Sequence, residues 1–152
     1  MTKRLFALIT GFLFAMTVMA QTQPRVLVFS KTAGFRHASI EAGKAALQKM
    51  GAEKGFAVDT TEDAAAFNEA NLKRYRCVLW LSTTSNVLDP LQQNAFERYI
   101  QAGGGYLGIH AASDTEYDWP WYGKLAGAYF KDHPSTPRNV QHGVYHVHDK
   151  TP

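Results

Sequence analysis

The chain has 152 residues, with 16 Lys and Arg against 13 Asp and Glu and a single cysteine, Cys77. One cysteine excludes an intrachain disulfide framework, so an oxidising compartment is tolerated without being used. The formal charge of +3 is spread without any Lys/Arg cluster, which leaves no electrostatic footprint for a nucleic-acid partner.

Lys3 and Arg4 precede an almost wholly apolar stretch, Leu5 to Met19, closed by Val18-Met19-Ala20. This pattern reads as a secretory signal peptide over residues 1–20, cleaved before Gln21. Two basic residues leave with it, so the remainder carries +1 and the sequence pI of 9.0 is no argument about partners. The expected location is periplasmic or secreted, with no membrane span after signal cleavage, because no later stretch is long and apolar enough to cross a bilayer. Residues 21–152 are the size of one domain.

Arg25 to Ser30 is a continuous apolar run, predicted as a buried strand. Lys31 to His37 follows as a loop. A helix is predicted from an N-cap at Ser39, with Ile40, Gly43, Leu47 and Met50 on one face and a stop between Gly51 and Gly55. Phe56 to Thr60 reads as a second strand, and Asn68 or Asn71 as the cap of a helical turn before Tyr75. Arg76 to Ser82 is a third apolar strand, followed by the polar loop Thr83–Asn86. Asp89, Pro90 and Gln92 make a near capping box for a helix with Leu91, Ala95, Tyr99 and Ala102 along its core stripe. Gly103 to Gly105 end that helix, and Tyr106 to Ile109 reads as a fourth, fully buried strand. Trp119 to Ala126 is predicted as a short helix, and Asn139 to His148 as a fifth strand broken at Gly143. Strand and helix alternate throughout, which is the order of an α/β fold with a parallel sheet and right-handed crossovers. In such sheets ligands sit outside the carboxyl ends of the strands. The loops at Lys31–His37, Thr83–Asn86 and His110–Tyr117 are therefore expected to face one crevice.

His110 is the centre of that expectation. It stands at a strand-end turn, with Gly108 before it and Ala112 after it, where an elbow motif would present a nucleophile. Histidine titrates near neutrality and serves as acid or base, although a core histidine satisfied by backbone groups fits the same pattern. Asp114 is placed to orient the imidazole. In the first loop, Gly34 permits close backbone approach, and Arg36 and His37 can hydrogen-bond a sugar, phosphate or carboxylate; an ordinary strand-to-helix loop fits equally. Thr84 and His133 complete the expected ligand-binding set. His142, His146 and His148 share one parity along the last predicted strand, but that row spans too far to meet one ion, and no metal site is expected. The sequence names no cofactor. Cys77 lies in an apolar strand and is expected to be inert.

Several of these segments together resemble one family. They are Arg25–Ser30 with Thr32-Ala33-Gly34-Phe35-Arg36-His37-Ala38-Ser39-Ile40, then Leu81-Ser82-Thr83-Thr84 with Val87-Leu88, then Gly103 to Asp114, and last Gly127-Ala128-Tyr129-Phe130 with His133-Pro134. The chain is similar to the trehalose-utilisation (ThuA-like) family. The resemblance implies a flavodoxin-like three-layer sandwich of the class I glutamine amidotransferase kind. In amidotransferases the elbow holds a cysteine; here it holds His110, so glutaminase chemistry is not expected. The family is linked to disaccharide and keto-sugar metabolism, which implies a small-molecule carbohydrate partner. Its domains run past the last strand predicted here, so the resemblance also implies a copy incomplete at the carboxyl end.

Two functions follow as expectations. One is an enzyme acting on a sugar, with His110 as acid or base and His37, Asp114 and His133 orienting hydroxyls. The other is a non-catalytic sugar-binding module, with Tyr117, Trp119, Trp121 and Tyr122 as a stacking platform or, alternatively, as core packing.

Overall fold

The computed structural model describes residues 23–134, 142–144 and 146. The elements run β1 (Arg25–Phe29), α1 (Ser39–Lys54), β2 (Ala57–Thr61), a 3₁₀ turn at Ala64–Ala66, α2 (Glu69–Leu72), β3 (Cys77–Leu81), α3 (Pro90–Gln101), β4 (Gly105–Ile109), a 3₁₀ turn at His110–Ser113, and α4 (Pro120–Ala126). The four strands form one parallel sheet in the order β2-β1-β3-β4. That is the start of the flavodoxin order, with its switch point between β1 and β3.

The sheet divides two apolar layers by strand parity. Leu27, Phe29, Val78 and Trp80 face Phe67, Leu72, Phe96, Tyr99 and Tyr122 from α2, α3, α4 and the turn before α2. Trp80, fully buried, meets Phe29 at 5.3 Å, Phe67 at 5.5 Å and Tyr122 at 4.8 Å between ring centroids. Val28, Leu79 and Leu81 face the other way, toward Leu47 of α1. A Cβ on Gly43 would sit 3.0 Å from a Leu81 methyl, so glycine there lets α1 lie close to the sheet. The result is three layers, with α1 on one side and α2, α3 and α4 on the other.

Local chemistry accounts for most element ends. Asp89 accepts from the backbone N–H groups of Leu91 and Gln92, while Gln92 accepts from the Asp89 N–H, a complete capping box. Asn68 caps α2 by accepting from the Asn71 N–H. Ser39, expected as a cap, is instead the first residue of α1, and the cap position holds Ala38 without a side-chain hydrogen bond.

β4 also departs from expectation. Among the described residues it is an edge strand, with Leu107 49 % exposed, and not a strand buried on both faces. An apolar run of four residues looks the same in sequence at an edge and at the centre of a sheet. The predicted strand Asn139–His148 lies mostly outside the described residues; His142, Gly143, Val144 and His146 within it are not in strand conformation. Among the described residues no helix is long and apolar enough to cross a membrane.

Candidate functional site

The carboxyl ends of β1, β3 and β4 carry the site, and the order β1-β3-β4 makes their loops neighbours. Thr84 joins the first two. Thr32 and Thr84 form a parallel bridge, and the Ala33 N–H donates to the Thr84 carbonyl at 2.9 Å. The Thr84 hydroxyl accepts from the Gly34 N–H at 3.2 Å and donates to the Phe35 carbonyl at 3.0 Å. Thr84 is 1 % exposed, so it clamps the first loop from beneath and does not face a ligand. Gly34 belongs to the same junction: a Cβ there would come within 2.6 Å of the Ser85 hydroxyl.

Ser85 ties in the third loop. Its N–H donates to the Asp114 carbonyl at 2.8 Å, and its carbonyl accepts from the Glu116 N–H. Thr115 donates to the Thr83 hydroxyl at 2.9 Å. Glu116 is the next residue of that loop. It is fully buried and accepts from the Val87 N–H at 2.7 Å, the Leu88 N–H at 2.8 Å and the Gln93 amide at 2.6 Å. A carboxylate inside a protein requires such donors. It holds the start of α3 to the loop after β4.

Backbone strain gathers at this end of the sheet. Ser82, Ser85, His110 and Glu116 have φ of 50°, 60°, 56° and 57°. These are the left-handed values that side chains with a Cβ seldom adopt, and such residues concentrate at functional sites. His110 thus has the strained turn that its sequence position suggests.

The imidazoles of His110 and His37 lie edge to face with centroids 4.5 Å apart, so the expected approach of the first loop to the strand-end histidine is found. His110 itself is exposed and so is not the core histidine that fits the same sequence pattern; among the described residues β4, which precedes it, lies at the edge of the sheet. His37 is half-buried. Burial lowers its pKa below the ordinary histidine value, and the nearby His110 lowers it further; Asp114 opposes the shift and His133 adds to it. The buried Nδ1 of His37 has no well-formed hydrogen bond, and the Phe35 carbonyl beside it only partly opposes the lowering of its pKa.

His37, His110, Asp114 and His133 line one cleft of about 550 Å³, with Phe35, Ala111, Ser113 and Phe130 as its other walls. Asp114 accepts from the Tyr117 hydroxyl, which also lies 2.9 Å from the Phe130 carbonyl. Burial and the Asp114 carboxylate push the Tyr117 hydroxyl up to about 12. Arg36 is not brought to the cleft. It pairs with Glu62 and Glu41, both at 2.8 Å, and Lys44 joins the same network. Nor do Trp119 and Trp121 make a platform. They stack on each other at 5.1 Å and pack against Phe96 in the core. Among the described residues, no three His, Cys, Asp or Glu side chains are arranged to hold a metal ion. A cleft of similar size between α2 and α3 lies at the opposite end of the sheet and contains none of the histidines.

The chain is similar in structure to a ThuA-like protein from Bacteroides uniformis ATCC 8492, at 26 % identity and a TM-score of 0.57. That match covers 70 % of this chain and 45 % of the other, so the chain spans less than half the length of its solved relative. Among curated proteins there is no significant match. The trehalose-utilisation (ThuA) family model matches residues 25–152, nearly the whole of the described fold, and the chain belongs to that family.

Proposed function

We propose that this chain acts on a disaccharide or keto-sugar in the cell envelope, with His110 as the acid or base and His37, Asp114 and His133 orienting hydroxyl groups. The observation that carries the reading is His110 itself. It is a histidine in left-handed backbone conformation at a strand end, exposed to an open cleft and set against a second histidine whose proton affinity is lowered. Proton transfer next to a carbonyl needs a group that titrates near neutrality and needs no nucleophile. The cleft holds no cysteine or serine in the elbow position, and its volume suits a molecule of one or two sugar rings. The family's link to trehalose utilisation supports the substrate class.

The test is turnover of trehalose and of a keto-disaccharide made from it, followed by NMR, with the wild-type chain and His110→Ala. Turnover that His110→Ala abolishes, with the fold intact by circular dichroism, supports the reading. Saturable binding without turnover assigns the chain to the alternative, a non-catalytic sugar-binding module. Absence of both binding and turnover overturns the carbohydrate reading. The envelope location is tested separately, by amino-terminal sequencing of the protein expressed in a Gram-negative host. A mature start at Gln21 is expected, and recovery of Met1 from the envelope protein would rule out cleavage.

A further inference from the structure

Phe35 is 71 % exposed, the most solvent-exposed aromatic ring among the described residues. Single exposed apolar side chains are ordinary on protein surfaces and carry no meaning alone. Phe35 differs in two respects. Its backbone is immobilised, because its carbonyl accepts from the buried Thr84 hydroxyl and the residue before it donates to that same oxygen. Its ring also forms a wall of the histidine cleft, perpendicular to His37 at 89° with centroids 4.9 Å apart. Phe35, His37 and His110 therefore form a continuous edge-to-face row along one side of the cleft. On the other side stands Phe130, with the His133 ring 4.8 Å away. Of the four aromatic residues that the sequence offers for stacking, Trp119, Trp121 and Tyr122 are committed to the core, and Tyr117, 41 % exposed, is stacked on Tyr129 at 5.2 Å. That leaves Phe35 as the aromatic face open to solvent beside the histidine pair.

We infer that Phe35 is the stacking residue of this site, receiving the apolar C–H face of a pyranose ring and turning the ring's edge toward His37 and His110. The inference rests on the carbohydrate reading and adds to it the ligand's form. The preferred ligand is a closed pyranoside ring with a continuous C–H face, and open-chain polyols carrying the same hydroxyl groups are rejected. Hydrogen bonds alone would not separate these two, because both present hydroxyls at similar density. An aromatic face does, since only the ring offers a flat apolar surface to it. Phe35 acts by positioning and needs no part in proton transfer.

Saturation-transfer NMR and calorimetry with trehalose and with sorbitol test this, using the 152-residue chain, Phe35→Ala, Phe35→Trp and His110→Ala. Trehalose is expected to bind the wild type, with saturation concentrated on the ring C–H protons. Phe35→Ala should weaken it by about tenfold, while Phe35→Trp keeps the affinity within a few-fold. The Gly34 amide shift should stay in place in Phe35→Ala, showing that the Thr84 clamp survives. Trehalose binding that is equal in wild type and Phe35→Ala overturns the inference and leaves the carbohydrate reading standing. Sorbitol binding as tight as trehalose also overturns it, because the ring face is then not being read. Absence of trehalose binding in every variant overturns both.

Discussion

His37 and His110, 73 positions apart in the sequence, meet edge to face at 4.5 Å, the first half-buried and the second exposed. Burial and the neighbouring imidazole both disfavour a proton on His37. Its folded pKa is depressed below its unfolded value, so the unfolded chain binds more protons as pH falls. The stability from this residue is therefore complete above the ordinary histidine pKa of about 6.5 and is lost as pH drops toward the folded value.

Imidazole C–H shifts followed by NMR should show His37 titrating below the ordinary range. In His110→Ala its midpoint should rise, because one cause is removed, but remain depressed, because burial persists. A midpoint that does not move would show that the two rings are not electrostatically linked.

Glu116 gives the strongest stability prediction. Glu116→Ala strands the buried Val87 and Leu88 N–H groups, at about 1–3 kcal/mol each when unpaired. Denaturant unfolding should show a loss of about 2–5 kcal/mol. Glu116→Gln keeps one acceptor oxygen for both amides and should cost less than half of that. Equal losses for the two variants would mean that the negative charge, and not the acceptor geometry, is what matters.

Thr84→Val removes the hydroxyl at nearly constant shape. The Gly34 N–H and the Phe35 carbonyl then lose their partner. Hydrogen exchange at the Gly34 amide should accelerate by at least tenfold, with a stability loss of about 1–3 kcal/mol. Unchanged exchange would show that the Ala33–Thr84 backbone bond holds the loop alone.

Glu62 should govern part of the acid response. Hydrogen bonds from Arg36 and Lys44 hold its carboxyl down at about 2. Its contribution is present above the unfolded carboxyl range, near 4.5, and is lost as pH falls toward 2. The group is partly exposed, so solvent screening keeps the effect small. Glu62→Gln should flatten the stability profile between pH 4.5 and 2 while leaving it unchanged at pH 7 apart from a constant offset. A wild-type slope in that window that survives the substitution would assign the acid response to other carboxyls.

The convergence of three loops on one crevice was legible in the sequence because it follows from parallel topology. Once Arg25–Ser30, Arg76–Ser82 and Tyr106–Ile109 are parallel strands of one sheet, the loops after them all leave at its carboxyl end. The capping box at Asp89 was legible because it is chemistry between near neighbours. The directions of individual side chains were not. Arg36 turns away because Glu62 and Glu41, on other segments, offer it a carboxylate pair. Thr84 turns inward because the Gly34 N–H and Phe35 carbonyl, about 50 positions earlier, need a partner. Glu116 resembles its solvated neighbours Asp114 and Asp118 in composition, and only the fold brings the Val87 and Leu88 amides to it. Among the described residues β4 has a strand on one side alone, and a run of four apolar residues does not record that.

The bonds to Glu116 also bear on the order in which the protein can be made. Val87 and Leu88 leave the ribosome well before the carboxylate that will hold them, 29 and 28 positions later. Until Glu116 emerges, the start of α3 and the end of the second loop lack the group that joins them to the turn after β4. The first loop can close on Thr84 earlier, since both parts of that clamp are already synthesised. In chain order, every group that holds the wall containing Phe35 thus precedes the carboxylate that completes the wall containing Asp114.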